Sequence, residues 1–291
     1  MNLELWYFLI NGQADEQQGL FGNFYAYGEH LGEALDNTFK AAQRGRFNNP
    51  NLVEASLLES FDVIEDSDEL VAISDSVYMR NTTYSYPLSD PDKEFIPPVG
   101  IVKATGEDEH DYDLIAENFV AYAQDENGIF EFELVVAKDN LRQVFFKAIE
   151  FLPSVDGFWV YIQSHWNNKE VELWAAPHFT DRQQVLDFLT CHDKNTLENG
   201  YVRVVVHSLE GETNLTLDDH KKIQLHTKDE TMFQSFIEQV KGLGYEQTKE
   251  FYNLEWGFHH WHYRPANSLP RAEFIDMLQT NGFEFIHAWE E

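Results

Sequence analysis

Cysteine is nearly absent from this chain, which has Cys191 alone among its 291 residues. A single cysteine excludes an intrachain disulfide, and such sparse use is typical of proteins in a reducing compartment. The apolar stretch near the N-terminus, Leu5 to Ile10, is too short for the core of a secretory signal. No apolar run approaches the length that spans a membrane. We therefore predict a cytoplasmic protein that does not insert into membranes.

Basic residues are scarce: 20 lysines and arginines face 51 aspartates and glutamates, which gives a formal net charge of -31. A charge of this sign and size works against binding nucleic acids or anionic membranes. Two interpretations of the excess stay open, a solvated acidic surface and a surface that meets a basic protein. A third, mimicry of a nucleic acid by patterned carboxylates, depends on a surface arrangement that sequence does not reveal.

Motifs that carry catalytic chemistry are missing. The chain has no glycine-rich phosphate loop, no nucleophile elbow, no helical zinc-protease motif and no dinucleotide fingerprint. Carboxylates are so abundant that choosing two of them as acid and base would be arbitrary. We therefore predict no cofactor and favour a non-enzymatic role, while the sequence leaves the oligomeric state open.

Apolar periodicity in the C-terminal part predicts the fold class. Residues 130–136 alternate as in a half-buried strand, and the following helix carries an apolar stripe from Leu141 to Leu152. Strands and a second helix follow up to residue 208, in the order β-α-β-β-α-β. The same order recurs over 222–288. This pattern predicts an α+β protein with two consecutive ferredoxin-like units behind a smaller, less regular α+β domain.

The predicted domain boundaries follow from this pattern and from a change in composition. Gly106–Asp113 is the most linker-like stretch, and a short helix is predicted after it, through Leu114, Ile115, Phe119 and Tyr122. The predicted segments are an N-terminal α+β domain (1–105), an acidic linker with this short helix (106–128), a first ferredoxin-like unit (129–210) and a second one (211–291).

The stretch from Trp256 to Tyr263 is the most unusual part of the sequence, because it combines aromatic side chains with three histidines. On a strand, His260 and His262 would point to the same face. Two such histidines can ligate one zinc ion when a third ligand comes from elsewhere. Aromatic core packing and an aromatic recognition surface are the other interpretations. We predict a binding site here, formed by Trp256, His260, His262 and Tyr263, with His260 and His262 as candidate metal ligands.

Two further constellations have ordinary explanations. The acidic run Glu107–Asp113 lacks the central glycine of a calcium-binding loop, so we expect a solvated linker. Cys191 and His192 are neighbours on a predicted helix, where their side chains would point apart. For this pair we expect a small buried thiol beside a histidine that faces solvent.

Charge, aromatic content and the missing motifs together predict an interaction or regulatory protein. In this hypothesis an acidic scaffold presents a sheet face or an aromatic edge to a basic protein, as an inhibitor or immunity protein would. The alternative is a small-ligand-binding protein or a metal-dependent enzyme with its site near the His260/His262 strand.

Overall fold

The protein has a mixed α+β fold, described here from a computed structural model. The structure describes residues 3–16, 18–61, 64, 70–87, 95–103, 114–167, 169–255 and 260–290. Within these ranges the α-helices are α1 (Leu31–Arg44), α2 (Lys138–Phe151), α3 (Arg182–Cys191), α4 (Glu230–Gly242) and α5 (Arg271–Thr280). The strands are β1 (Glu4–Gln13), β2 (Gln18–Gly28), β3 (Asn48–Leu58), β4 (Leu70–Ser74), β5 (Val77–Pro87), β6 (Ile101–Lys103), β7 (Asn118–Ala121), β8 (Phe130–Leu134), β9 (Gly157–Ile162), β10 (Val171–Ala175), β11 (Val202–Ser208), β12 (Thr213–Leu217), β13 (Ile223–Thr227), β14 (Glu246–Gln247), β15 (His260–His262) and β16 (Glu284–Trp289).

The chain forms two compact units. Unit 1 comprises Met1–Lys93, Val102–Glu109 and Phe258–Asn267, and unit 2 comprises Glu94–Ile101, His110–Gly257 and Ser268–Glu291. Each unit is therefore built from segments that are distant in sequence. The sequence-based domain boundaries remain a prediction, because compactness does not establish which segments fold independently.

Unit 1 contains an antiparallel sheet of five described strands in the order β3-β1-β2-β5-β4. Helix α1 covers one face of it, with Ala34, Ala41 and Ala42 buried against Phe8 and Phe24. The helix begins after His30, whose Nδ1 accepts a hydrogen bond from the backbone N–H of Glu33 (3.1 Å). Gly45 follows its last turn, and the Gly45 N–H donates to the carbonyls of Ala41 and Ala42. Small residues on the buried side of α1 let the helix lie close to the aromatic side chains of the sheet.

A buried ion pair ties the segment 260–267 of unit 1 to β3. Arg264 Nη2 donates to the Ala55 carbonyl (2.8 Å) and to Ser56 Oγ (3.0 Å). Arg264 Nε lies 3.6 Å from Glu54 Oε1, and the Arg264 N–H donates to Glu54 Oε2 (3.3 Å). Burial raises the pKa of Glu54 to about 7, because these long contacts to Arg264 only partly offset the loss of water.

Unit 2 is built on one sheet in which the described strands follow the order β14-β7-β8-β13-β12-β11-β9-β10-β16. All pairings are antiparallel except that between β14 and β7. Alternate residues of its strands join one apolar core with α2, α3, α4 and α5, for example Phe158, Val160 and Ile162 of β9. The alternation of residues predicted from the sequence thus separates side chains that face the core from side chains on the opposite face of the sheet.

The predicted order β-α-β-β-α-β is present over 130–208, as β8, α2, β9, β10, α3 and β11. In the sheet, however, β12 and β13 lie between β8 and β11. Strands of both predicted units therefore contribute to one continuous sheet. The α+β class is confirmed, but two separate ferredoxin-like units are not.

Three local predictions need correction. The segment predicted as a short helix contains strand β7, in which Phe119 is buried and pairs with Leu134 of β8. Strand β12 was not predicted. Strand β15, predicted within the second ferredoxin-like unit, pairs instead with β6. The run Glu107–Asp113 lies outside the described residues.

In the described part of the chain, no helix is both long enough and apolar enough to cross a bilayer.

The raised pKa of Glu54 makes the stability of the protein depend on pH. The folded state keeps the proton up to about pH 7, whereas the unfolded chain releases it near the ordinary value of 4.5. Stability is therefore lost as pH rises through this window. Glu54→Gln mimics the protonated acid, so we expect the stability of the wild type relative to the variant to fall by about 2–3 kcal/mol between pH 5 and pH 7.5.

Denaturant unfolding of both proteins at pH 5, 6, 7 and 7.5 measures this difference. Subtracting the two free energies of unfolding cancels the contribution of the other carboxylates, which both proteins share. Glu59→Gln, at an exposed position just after β3, is the matched control and should follow the wild type. A difference that is independent of pH would contradict the assignment.

Candidate functional site

The loop between β12 and β13 concentrates buried charge in unit 2. We call Asp218–Lys222 the charged loop; its sequence is Asp-Asp-His-Lys-Lys. Asp218, Asp219, Lys221 and Lys222 are between 1% and 4% exposed. Charged side chains are rarely buried unless they are paired. The contacts that compensate for this burial define what the loop can do.

Lys221 holds the charged loop in place. Its Nζ donates to three backbone carbonyls, those of Asn199 (2.6 Å), Val202 (3.2 Å) and Thr196 (3.4 Å). Burial lowers the pKa of Lys221 to about 8, although Asp219 and Asp218 favour its charged form. Lys221 also has a positive φ of 63°, so the backbone is in the left-handed region at this residue.

Asp218 and Lys222 close the base of the charged loop. The Lys222 N–H donates to Asp218 Oδ1 (2.7 Å), and the Asp218 N–H donates to the Lys222 carbonyl (3.1 Å). Burial, and then the adjacent Asp219, raise the pKa of Asp218 to about 7. Lys222 Nζ bridges Glu133 Oε1 (2.5 Å) and Glu255 Oε2 (2.6 Å). Burial opposes the charge on Lys222, but Asp218 and these two carboxylates outweigh it and raise its pKa.

Asp219 and His220 lie between these anchoring residues. Arg203 Nη2 of β11 donates to Asp219 Oδ1 (3.0 Å). The other carboxylate oxygen, Oδ2, lies 3.5 Å from His220 Nδ1. A ring nitrogen of His165 lies within 4.8 Å of a carboxylate oxygen of Asp219. His165 Nε2 is 3.4 Å from the Gly200 carbonyl. The Asp219 carboxylate thus lies near the His220 imidazole and near the His165 imidazole.

The predicted histidine pair lies in unit 1. His260 and His262 both belong to β15, their ring centroids are 5.0 Å apart, and ring nitrogens of the two lie within 4.8 Å. The alternation on which the pairing prediction was based is therefore present. Tyr263 instead packs on Phe21 (6.1 Å between centroids) in an apolar cluster with Leu9 and Val102. Trp256 lies outside the described residues.

The Cys191 prediction is wrong in its details. The thiol is exposed, whereas His192 is half-buried and lies on Phe188 with 4.8 Å between ring centroids. Burial lowers the pKa of His192. The helix ends at Cys191, so its last turn leaves the sulfur in solvent and directs the imidazole back onto the helix. The two side chains do not form a nucleophile and base.

Strand β16 forms an edge of the unit 2 sheet. It pairs with β10 on one side, and no described strand lies on its other side. Phe285 and Ile286 are each 53% exposed. Both side chains are therefore accessible on β16. We call this strand the open edge.

Sequence reasoning missed the charged loop and the open edge as sites. The run of five charged or titratable residues between two alternating segments is visible in the sequence, but such runs are usually exposed. His165 is separated from Asp219 by more than fifty residues, and its proximity follows only from the pairing of β9 with β11 and of β11 with β12.

Comparison of this chain with family models, with curated proteins and with solved structures finds no match.

Removing the ammonium group of Lys221 should destabilise the protein. Lys221→Met keeps the length of the side chain but loses three hydrogen bonds from a charged donor, and we expect a loss of about 2–3 kcal/mol in the free energy of unfolding. Lys228→Met is the matched control, because Lys228 is exposed and pairs with the exposed Glu212. Denaturant unfolding followed by circular dichroism measures both, and an equal effect of the two substitutions would contradict this role for Lys221.

Proposed function

We propose that this protein is an acidic binding module that captures a basic protein partner at the open edge. The observation that carries the proposal is the open edge strand with two exposed apolar side chains on a chain of net charge -31. The partner would add a strand beside β16, and its basic residues would face the acidic surface of this protein.

An edge strand offers a row of unpaired backbone N–H and C=O groups that can pair with a strand of another chain. Proteins usually protect such edges with lysine, proline or a bulge that twists the strand away. The sequence of β16 is Glu-Phe-Ile-His-Ala-Trp, which contains neither lysine nor proline. Its pairing with β10 has one register shift, at which Ile286 has no partner residue on β10. The strand therefore carries one bulge but neither lysine nor proline, and we propose its unpaired side as a strand-addition site.

The exposed side chains add specificity to such pairing. Phe285 packs edge-to-face on Trp174 of the neighbouring strand (5.5 Å between centroids), and His287 stacks on Trp289 (5.9 Å). Aromatic residues that are rigid and partly exposed are typical of binding hot spots. Glu284 and Glu290 flank this aromatic stretch. The open edge thus combines backbone donors and acceptors, apolar contact area and negative charge.

A second copy of this chain is the competing occupant of the open edge. Pairing of β16 with itself would bring together two molecules of the same large negative charge, which repel each other. A basic partner gains from the same charge, because attraction speeds encounter and selects against acidic competitors. Charge therefore favours the basic partner over self-association.

The test is affinity capture from a lysate of the source organism, with the wild type compared with two variants of equal charge change. Ile286→Lys places a positive charge in the open edge, so we expect recovery of the partner to fall at least about tenfold. Leu209→Lys is the matched control, since Leu209 is 71% exposed and lies outside the strands, and it should retain most of the binding. Binding of the purified partner should weaken steeply between 50 and 500 mM salt.

The proposal holds only if the captured protein is basic and its recovery depends on Ile286. Equal recovery with both variants, or no basic protein even at low salt, would refute it. Sedimentation of the purified protein tests whether a second copy occupies the open edge. A wild-type dimer that dissociates in the Ile286→Lys variant would show that the occupant is a second copy and not a basic partner.

His260 and His262 support a second candidate function, metal binding by unit 1. They supply two of the three or four donors that a zinc site needs, so the described part of unit 1 provides an incomplete set. We expect purified protein to carry less zinc after His260→Ala or His262→Ala than after His30→Ala, which removes an exposed histidine of the same unit. Elemental analysis decides this, and equal zinc in all three variants would exclude the pair as ligands.

A further inference from the structure

We infer that the chain bound at the open edge is an extended segment in which basic and apolar residues alternate. This inference rests on the proposed function, which states only that the partner is basic and adds a strand beside β16. It follows from the different chemistry of the two faces of the open edge.

Phe285 lies on the face of the open edge that continues the apolar core of unit 2. It is paired with Trp174 of β10, and the two rings are in edge-to-face contact with 5.5 Å between centroids. Trp174 is 4% exposed and belongs to the core of unit 2. Phe285 is 53% exposed, so the core face ends at this strand with a half-exposed apolar side chain.

His287 and Trp289 lie on the opposite face of the open edge. Their rings stack with 5.9 Å between centroids, and Tyr161 of β9 packs edge-to-face on Trp289 at 6.1 Å. Tyr161 alternates along β9 with Val160 and Ile162, which belong to the core. Tyr161 and the two rings of β16 therefore lie on the sheet face that points away from the core.

Glu284 shares this second face. It pairs with Ala175, and Ala175 pairs in turn with Trp159 of β9, two residues before Tyr161. Directly paired residues of adjacent strands lie on the same face, so Glu284 lies on the side of His287 although a register shift separates them. Glu284 is exposed. The second face thus presents a carboxylate and accessible rings.

A partner strand would meet these two faces alternately, because successive side chains of a strand point to opposite sides. Every second residue would lie on the face of Phe285, where burial of apolar surface favours an apolar side chain. The residues between them would lie on the face of Glu284, where a basic side chain pairs with the carboxylate and packs on the rings. The net charge of -31 favours the same basic residues.

The alternation separates this partner from basic chains of other patterns. A basic helix uses its backbone hydrogen bonds internally and has none to offer to an edge strand. A run of consecutive basic residues would place a charge beside Phe285, where it would lose water without gaining a counterion. The open edge therefore selects the order of basic residues as well as their number.

The test is calorimetric titration of the full-length protein, at 50 mM salt, with two synthetic octapeptides of equal composition and charge. One alternates arginine and valine, and the other carries all its arginines before its valines. We expect the alternating peptide to bind at least about tenfold more tightly. Ile286→Lys should weaken its binding at least about tenfold, whereas Leu209→Lys, at an exposed position outside the strands, should not change it.

Coupling between substitutions in the protein and in the peptide tests the two faces separately. Glu284→Gln should weaken binding of the alternating peptide about two- to fivefold, and Phe285→Ala at least about fivefold. Replacing the arginines by neutral citrulline should abolish the effect of Glu284→Gln but not that of Phe285→Ala. Glu126→Gln is the matched control for Glu284→Gln, because it removes an exposed carboxylate between β7 and β8, and it should bind as the wild type does.

Equal affinity for the two peptides, with both weakened by Ile286→Lys, would overturn the alternating pattern while a basic partner at the open edge still stands. Binding that Ile286→Lys leaves unchanged would place the peptide elsewhere and overturn the inference. Binding of neither peptide would overturn it as well, and the capture experiment then decides the proposed function on its own.

Discussion

The ammonium group of Lys221 is the interaction on which the described architecture of unit 2 most depends. Three carbonyls from the segment 196–202 replace the water that this group loses on burial. That segment leads into β11, and Lys221 itself leads into β13, so one side chain joins two parts of the sheet. Its position also sets the path of the charged loop and hence the direction of Asp219 and His220. A single buried cation thus links the stability of the sheet to the path of the charged loop.

Three of the scarce cations of this chain are used inside it. Lysines and arginines are outnumbered by more than two to one, yet Lys221, Lys222 and Arg264 are all buried. Each of them binds backbone carbonyls or carboxylates of segments that are distant in sequence. These three cations therefore do not offset acidic groups at the surface. The negative charge left there is available to a partner of opposite sign.

The sequence predicted local structure well and long-range pairing poorly, for a physical reason. Alternation and apolar stripes are local, so β8 and α2 could be placed from the residues of each element alone. Strand neighbours are chosen by contacts that no local pattern encodes, and β8 therefore pairs with β13 of the other predicted unit. At Phe119 the described strand is only four residues long, too short for its period to distinguish a strand from a helix. The same limit applied to the candidate sites. The proximity of His260 and His262 followed from their spacing on one strand, whereas that of His165 and Asp219 depends on the sheet order.

The open edge and the net charge are best understood together. An edge strand that lacks lysine and proline and exposes Phe285 and Ile286 would normally invite self-association. Lysine or proline in β16 would prevent this, but it would also block a partner strand or repel a basic one. A large net negative charge protects the edge in another way, because it opposes the approach of another copy while it attracts a basic chain. Protection by net charge therefore leaves β16 able to bind a partner strand, whereas lysine or proline within β16 would not.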